Sequence, residues 1–474
     1  MTARVRTGRV AALIFVLVWL SCGWFGSWEW NPNTATRIFA TMSVVEDGDA
    51  TIDQFAGLTI DKAIFGTHVY SDKAPGMSLL AIPAVVVATT ASGMTSRDIA
   101  LSMYDGPSGD FLRLRVRLAA ISTSALLTAI GAVTVFLLAV GVGATIGAGV
   151  FAAIAFALGT PMWGWSTTIF GHAVTTALIA VALWAVWRGT ACPRPDRAMA
   201  VAAGSALGAA VIVDYSAVVT GGAVGVLALW RLRRFAAADI RTTIVAATIP
   251  AIVALAVLVG YNLFAFGTPF RLGYQGVVGF DGMNQGLFGL TYPKPAVLWE
   301  IVFGTRRGLV WVAPIAVVGL GGLILLTRAV PTRSLGATGL AGVAIALCYN
   351  AAYVYWDGGN STGPRHLMPA IAYLSLGFAP AWTWRRTTPW RVLLVLILPL
   401  SVGINLVIAS TEIATGGQGA FPLWTDVVPR FLANDLRTIP SEWFGVRPAA
   451  GFWIYVVLAA GLSTALVRAV RSPR

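Results

Sequence analysis

Long hydrophobic runs, separated by short polar segments, dominate this chain. Apolar runs lie at about 10–28, 77–92, 118–141, 144–160, 172–187, 198–213, 216–230, 243–264, 309–327, 335–352, 367–383, 392–410 and 450–467. Most of them approach the roughly 20 residues that a helix needs to cross a bilayer. The pattern predicts an all-α polytopic membrane protein. We expect one domain over residues 1–474, with about 12–13 transmembrane or membrane-embedded helices.

The composition supports this interpretation. Mean hydropathy is +0.76, and 11% of residues are charged, against about a quarter in ordinary globular chains. The net charge of +13 does not indicate nucleic acid, because the basic residues form short clusters between apolar runs. Such clusters are typical of cytoplasmic loops. The expected partner is therefore the lipid bilayer.

Arginine clusters predict the orientation. Both termini are arginine-rich and expected in the cytoplasm, so the number of crossings must be even. The segment 77–92 is short and contains Pro83, so we favour a juxtamembrane or re-entrant helix there; the alternative is that it crosses. The cost is that Arg113, Arg115 and Arg117 then lie outside. The clusters expected inside are 188–197, 231–241, 328–333 and 385–391; the loops expected outside are 29–75, 265–308, 353–366 and 411–449.

The first outer loop carries many acidic residues. Asp53 and Asp61 stand out, because each is flanked by apolar residues. A carboxylate held near apolar surface can gain the basicity that a general base needs. Both are therefore candidate catalytic residues.

The same loop ends in the motif YSDKAPG, residues 70–76, directly before an apolar run. Proline favours the first turn of a helix, so Lys73 is expected just outside a helix N-terminus, which attracts anions. A phosphate at the membrane surface fits this arrangement, and Lys62 is a further candidate cation. The alternative is an interfacial lysine that only snorkels to the membrane surface. Asp72 is expected to pair with Lys73.

A second dense polar loop reads WDGGNSTGPRHLMP over residues 356–369. Arg365 could bind a phosphate through two parallel hydrogen bonds, with His366 assisting. The alternative is a tight turn with an interfacial arginine. Four supporting residues are also predicted: Asp357 in this loop, and His172, Arg306 and Arg307 elsewhere in the chain. No spacing demands a metal, although the many acids would allow a divalent ion; no other cofactor is expected.

These motifs resemble the GT-C superfamily of integral membrane glycosyltransferases. Related groups are the protein O-mannosyltransferases and the aminoarabinose transferases, and a bacterial branch matches YSDKAPG, the segment FGH at residues 170–172, and the loop GGNSTGPRHLMP at 358–369. The resemblance implies a GT-C-like bundle with a long first extracytoplasmic loop. It also implies a sugar donor linked to polyprenyl phosphate, inversion at the anomeric carbon, and an aspartate in the first loop that acts as general base or positions the acceptor.

One departure from the superfamily affects the catalytic prediction. In better-known relatives the aspartate lies just before an arginine near the start of the loop. Here the stretch is NPNTATR, which keeps Arg37 but has Asn31 and Asn33 instead of the acid. The expected base therefore moves to Asp53 or Asp61.

The expected function is sugar transfer from a polyprenyl-phosphate donor to a glycan, lipid or protein acceptor. The expected location is the extracytoplasmic face of the bacterial cytoplasmic membrane. Two alternatives remain: a ligase or polymerase of lipid-linked glycans, and a transporter or flippase of lipid-linked intermediates. The apolar runs contain no Asp, Glu, Lys or Arg, which counts against an ion-coupled transporter.

Overall fold

The structure is a computed structural model that describes residues 3–103, 105–384, 387–417 and 419–471. Arg385, Arg386 and Arg474, which belong to the basic clusters expected in the cytoplasm, lie outside the described residues.

Within the described ranges the chain is mostly helical. The α-helices are α1 Ala3–Trp24, α2 Pro32–Met42, α3 Gly76–Ser92, α4 Gly106–Ala120, α5 Leu126–Gly141, α6 Ile146–Ala157, α7 Met162–Ser166, α8 Gly171–Gly189, α9 Arg197–Val213, α10 Ala217–Thr220, α11 Gly222–Leu232, α12 Ala237–Phe266, α13 Pro295–Val302, α14 Leu309–Val312, α15 Ala316–Arg328, α16 Arg333–Ala352, α17 Pro369–Trp384, α18 Thr388–Ser410, α19 Val428–Leu432, α20 Ile439–Phe444 and α21 Pro448–Arg471. Short 3-10 turns are Asp53–Phe55, Gly273–Gly276, Asp281–Asn284, Val330–Thr332 and Arg365–Leu367, and π-helical turns are Ser43–Asp47, Ile121–Ala125 and Leu423–Val427. The strands are β1 Ala63–Phe65 and β2 His68–Tyr70.

Seven helical segments of the described chain are long and apolar enough to cross a membrane. They are Val5–Trp24, Gly106–Gly141, Gly171–Gly189, Ala237–Phe266, Val330–Ala352, Thr388–Ser410 and Pro448–Arg471. Shorter apolar helices fall on most of the other predicted runs, among them α3, α6 and α9. The prediction of an all-α polytopic membrane protein is confirmed. Whether α3 crosses stays a prediction: its 17 residues span about 25 Å, slightly less than the bilayer core.

Arg113, Arg115 and Arg117, which the topology prediction placed outside the membrane, are helical residues. They lie in α4, which continues through a π-helical turn into α5. Arg115 is fully buried and donates to the carbonyls of Phe111 and Met94. Arg117 is equally buried and pairs with Glu442 at 2.5 Å. Arg115 thus joins α4 to the segment after α3, and Arg117 joins α4 to the 411–449 segment. The side of the membrane on which they lie stays a prediction.

The first outer loop folds around a small hairpin that the all-α prediction did not include. β1 and β2 are antiparallel, with Ala63 opposite Tyr70 and Phe65 opposite His68. Asp61 lies two residues before Ala63 and Asp72 two residues after Tyr70, so both lie beyond the same end of the hairpin. The hairpin thus brings the first residues of the YSDKAPG motif back to the acid-rich part of the loop.

Candidate active site

An acid–lysine–acid group lies where the hairpin meets α3. Lys73 Nζ is 3.0 Å from Asp61 Oδ2 and 2.7 Å from Asp72 Oδ2. Both carboxylates are buried, with Asp61 the more accessible of the two. Burial and the nearby Asp61 raise the pKa of Asp72, although Lys73 opposes this. Burial acts to lower the pKa of Lys73, but the two carboxylates outweigh it and raise that pKa. Lys73 therefore stays a cation.

Arg37 joins this group from α2. The asparagines that replace the expected acid organise it: the Asn31 side chain caps α2 by accepting from the Asn33 N–H, and Arg37 Nη1 donates to the carbonyl and side-chain oxygens of Asn33. The Arg37 side chain is buried, and its Nε has no hydrogen-bond partner among the described residues. It interacts electrostatically with Asp61, Asp72 and a further acid, Asp214.

The FGH segment, residues 170–172, packs near the guanidinium groups of Arg37 and Arg365. The Phe170 ring lies 6.0 Å from the Arg37 guanidinium and 5.5 Å from that of Arg365, within the range of cation–π attraction. The rings of His172 and His366 are 5.5 Å apart. Burial, reinforced by Arg365 and His172, holds the pKa of His366 well below its usual value. The His366 imidazole is therefore neutral at physiological pH.

Asp214 was not among the predicted site residues, yet it faces them. Its Oδ2 is 3.6 Å from His172 Nδ1. Burial works against ionisation, but His172 and the hydroxyl and backbone N–H of Ser216 lower the pKa of Asp214 to about 2. The carboxylate is therefore charged at any physiological pH.

Two motif glycines allow the end of α9 to approach this site. A Cβ on Gly76, the last residue of YSDKAPG, would lie 2.7 Å from the backbone of Val213. A Cβ on Gly171, the middle residue of FGH, would lie 2.9 Å from the Val213 carbonyl oxygen. Both distances are closer than real Cβ contacts, so only glycine fits. These two close contacts bring Asp214, the residue after Val213, to the site.

Of the three cations Arg37, Lys73 and Arg365, the last makes the fewest hydrogen bonds to described residues. No hydrogen bond joins its guanidinium to another described residue, and its buried Nε has no partner there. It interacts electrostatically with Asp61, Tyr353, Asp357 and Tyr274, in that order. A partly buried guanidinium with unused donors is suited to binding an anion.

Arg306 and Arg307 fix the loop that carries Arg365. Arg306 Nη2 contacts Asp357 Oδ2 at 2.5 Å. Arg307 is fully buried and donates to the carbonyls of Asp357 and Gly359 at 2.6 and 2.5 Å. Arg306 and Arg307 thus use donors to hold the protein's own backbone and Asp357. Their role here is to support the loop.

Two predicted site residues do not contact this cluster. Asp53 was expected beside apolar surface, but it opens a 3-10 turn that buries Ile52 and Phe55 and leaves its own carboxylate exposed. It contacts His68 at 2.7 Å and accepts from the Val69 N–H. The Lys62 ammonium donates to the Ala56 carbonyl. Both belong to the outer part of the loop.

Tyrosines complete the site and were also missed by the sequence prediction. Tyr353 stacks edge-on against His366 at 5.0 Å. Tyr274 lies close enough to Asp214 and Asp72 for burial, followed by these acids, to raise the pKa of its phenol well above the usual value. Its neighbour Gly273 packs against the backbone of Asp72. The phenols offer neutral hydrogen-bond donors and acceptors.

The described residues contain no group of three or more His, Cys, Asp or Glu side chains that could hold a metal ion. The cations and acids of the cluster pair with one another instead.

The GT-C-like fold that the sequence motifs implied is supported by a likeness in fold to a solved membrane protein. The fold resembles that of ArnT from Cupriavidus metallidurans, solved bound to undecaprenyl phosphate: the match covers 99% of this chain and 73% of ArnT, at 14% identity and a TM-score of 0.52. Weaker matches are the Saccharomyces cerevisiae protein O-mannosyltransferase Pmt1–Pmt2 complex bound to its sugar donor (15% identity, 60% and 36% of the two chains, TM-score 0.41) and the oligosaccharyltransferase AglB of Archaeoglobus fulgidus with an inhibitory peptide and a dolichol-phosphate (13%, 86% and 56%, 0.44).

No protein-family model matches the sequence. No curated protein matches it either.

Proposed function

We propose that this chain is an inverting glycosyltransferase that moves a sugar from a polyprenyl-phosphate donor to an acceptor on the extracytoplasmic face of the membrane. The observation that carries the proposal is Arg365, a guanidinium with no hydrogen bond to a described residue, beside Arg37 and the Asp61–Lys73–Asp72 group. The fold shared with ArnT, whose structure holds undecaprenyl phosphate, supports it. The acceptor class stays open between glycan, lipid and protein.

In the proposed reaction, Arg365 binds the donor phosphate and Arg37 adds positive charge beside it. The acceptor hydroxyl oxygen attacks the anomeric carbon from the face opposite the phosphate and forms a new C–O bond. The bond from that carbon to the phosphate oxygen breaks, and its electron pair stays on the phosphate. The guanidinium groups stabilise the charge that develops there. This single displacement inverts the anomeric carbon.

Asp61 is the proposed base that takes the proton of the acceptor hydroxyl. Its carboxylate is more accessible than that of Asp72. Its carboxylate contacts Lys73, and Asp72 holds Lys73 from the other side. Lys73 is therefore assigned to positioning Asp61 and to adding positive potential, and direct phosphate binding is assigned to Arg365. Asp53 serves as the comparison residue, because its partners are His68 and Val69.

The membrane orientation is part of the same proposal. We place both termini in the cytoplasm and the cluster outside, in the bacterial cytoplasmic membrane. Cysteine substitutions in loops 188–197 and 265–308, labelled in intact cells with a reagent that cannot cross the membrane, test it. We expect labelling in loop 265–308 and protection in loop 188–197. The opposite result would show that the proposed orientation is reversed.

The function is tested by supplying the purified chain in detergent with polyprenyl-phosphate hexoses and pentoses and measuring release of free polyprenyl phosphate. We expect Asp61→Asn to lose roughly 10²- to 10⁴-fold in rate, the usual contribution of a general base, and Asp53→Asn to stay close to wild type. Absence of turnover with every donor would count against the transferase. Full activity in Asp61→Asn would count against the proposed base.

A further inference from the structure

A cavity lies away from the candidate active site, where α8 and α11 end and α9 and α12 begin. Its volume is about 310 Å³, within the range of small-molecule pockets. α12 packs on α9, whereas α11 packs on α8 and α16, so the cavity is a cleft between α11 and α12 with α9 as its floor. Apolar side chains dominate its walls, among them Val224, Ala228, Leu229, Ile244 and Ala247.

The cleft opens to the outer surface of the helical bundle. Leu229 and Ile244 line it and are 61% and 40% exposed. Their neighbours on the two helices, Val226 and Val245, are 68% and 49% exposed. In a membrane-spanning bundle such apolar surface meets lipid chains. A hydrocarbon chain can therefore enter the cleft sideways from the bilayer.

A buried arginine lies directly behind Thr190 in the wall of the cleft, at the end where Asp196 also lines it. Arg231 is 7% exposed. It donates to the hydroxyl and carbonyl of Thr190, which lines the cleft, and its guanidinium lies 4.0 Å from the Trp187 ring centroid. No carboxylate among the described residues pairs with it. A buried charge of this kind is costly unless an opposite charge is supplied, and membrane anchoring does not require a buried arginine.

The segments around this end are strongly basic. Six exposed arginines lie there: Arg188, Arg194, Arg197, Arg233, Arg234 and Arg241. The acids of the same segments are Asp196 and Asp239, and Asp196 is already used to cap α9. Basic pockets between transmembrane helices are suited to anionic lipid head groups.

We propose that this cleft binds one anionic phospholipid, with an acyl chain between α11 and α12 and the phosphate at Arg231 and the arginines of the 233–241 turn. The lipid supplies the missing counter-charge and fills a gap between helices that would otherwise leave apolar surface unpacked. The site is separate from the cluster formed by Asp61, Lys73 and Arg365.

Native mass spectrometry of the full chain tests the proposal. The detergent-purified protein is titrated with phosphatidylglycerol or with phosphatidylcholine of the same acyl chains. We expect one phosphatidylglycerol to bind at least tenfold more tightly than phosphatidylcholine. Ala228→Phe, which fills the cleft, should abolish this bound lipid, whereas Val226→Phe, on the outer face of the same helix, should retain it. Equal binding in the two phenylalanine variants would overturn the site.

The charge requirement is tested separately. Arg231→Met should lose the preference for phosphatidylglycerol, and Arg233→Gln/Arg234→Gln should weaken it. Arg328→Gln/Arg333→Gln, the matched control at a different basic turn, should leave it unchanged. Equal losses in both double variants would reduce the effect to general surface charge and overturn the proposal. Displacement of the bound lipid by equimolar undecaprenyl phosphate would assign the cleft to the sugar-donor lipid and would also overturn it. These measurements report binding alone, so their failure is distinguishable from failure of the transferase assay.

Discussion

The position of Arg365 can be tested by two neighbouring glycines that share one backbone conformation. Gly358 has φ +70° and Gly359 has φ +61°, so an alanine at either position costs roughly 1–2 kcal/mol in the left-handed region. A Cβ on Gly358 would lie 2.7 Å from Arg365 Nε, whereas a Cβ on Gly359 meets nothing within 4 Å. Gly358→Ala and Gly359→Ala should therefore be destabilised equally, and only the first should displace the guanidinium.

The size of the expected difference follows from the contacts that Arg365 offers. Hydrogen bonds to charged groups contribute about 1.5–3 kcal/mol each. Loss of one such bond to the phosphate lowers kcat/KM about 10- to 150-fold. We expect this loss in Gly358→Ala relative to Gly359→Ala, measured as release of polyprenyl phosphate, with similar thermal midpoints for the two variants. Equal activities would refute the assignment of phosphate binding to Arg365.

Three further predictions concern stability. Gly76→Ala should lower the thermal midpoint in detergent, because its Cβ would meet the backbone of α9, while Gly57→Ala, with open space around its Cβ, should not. Glu442→Gln should destabilise the chain by about 3–5 kcal/mol in a denaturant titration, because Arg117 is left buried without its partner; a loss below 1 kcal/mol would contradict this. His366 has a lowered pKa, so the unfolded chain takes up its proton first: stability should fall as pH drops below about 6.5, and His366→Gln should reduce that fall in melting curves at pH 5 and 8.

The helical class, and the grouping of Lys73 with Arg365 in the candidate site, were predictable from the sequence for one shared reason. Apolar runs of near-membrane length can hardly be anything but helices, and the polar segments between them are short. Lys73 and Arg365 carry charge beside such runs and were predicted on the same face of the membrane. Their grouping in the structure follows from that constraint, since few polar segments are available on one face.

The choice between Asp53 and Asp61 could not be made from local sequence. Both have apolar neighbours, but a short 3-10 turn orients one outward while the hairpin register directs the other to Lys73. The signal for the hairpin was present: two three-residue segments with β-branched or aromatic residues flank Gly66 and Thr67. A two-residue connection that begins with glycine is typical of such turns. Strands this short are easily overlooked in a helical chain.

Asp214 shows a different limit. It follows an apolar helix and looks like an ordinary boundary residue, and nothing near it in sequence resembles a motif. Its place in the site depends on Gly76 and Gly171, which lie 138 and 43 positions earlier in the chain. Because these residues have no Cβ, the backbone at the end of α9 can pack directly against them. A pattern of single residues cannot reveal such a contact. The glycines of both motifs act through close packing against α9. This contact exists only in the assembled helices, so the sequence does not reveal it.

The charges of the site explain why Lys73 and Arg365 have different roles. The buried cluster holds three cations and three carboxylates: Arg37, Lys73, Arg365, Asp61, Asp72 and Asp214. Their formal charges balance, which lets so many ionised groups share a buried region. Lys73 is saturated by two acids, so removing its charge would leave both uncompensated. The hydrogen-bond donors of Arg365 are unused, so an arriving phosphate can bind there without breaking an ion pair. As the phosphate gains negative charge on leaving the sugar, and Asp61 loses its own on taking the proton, the total charge of the site is conserved.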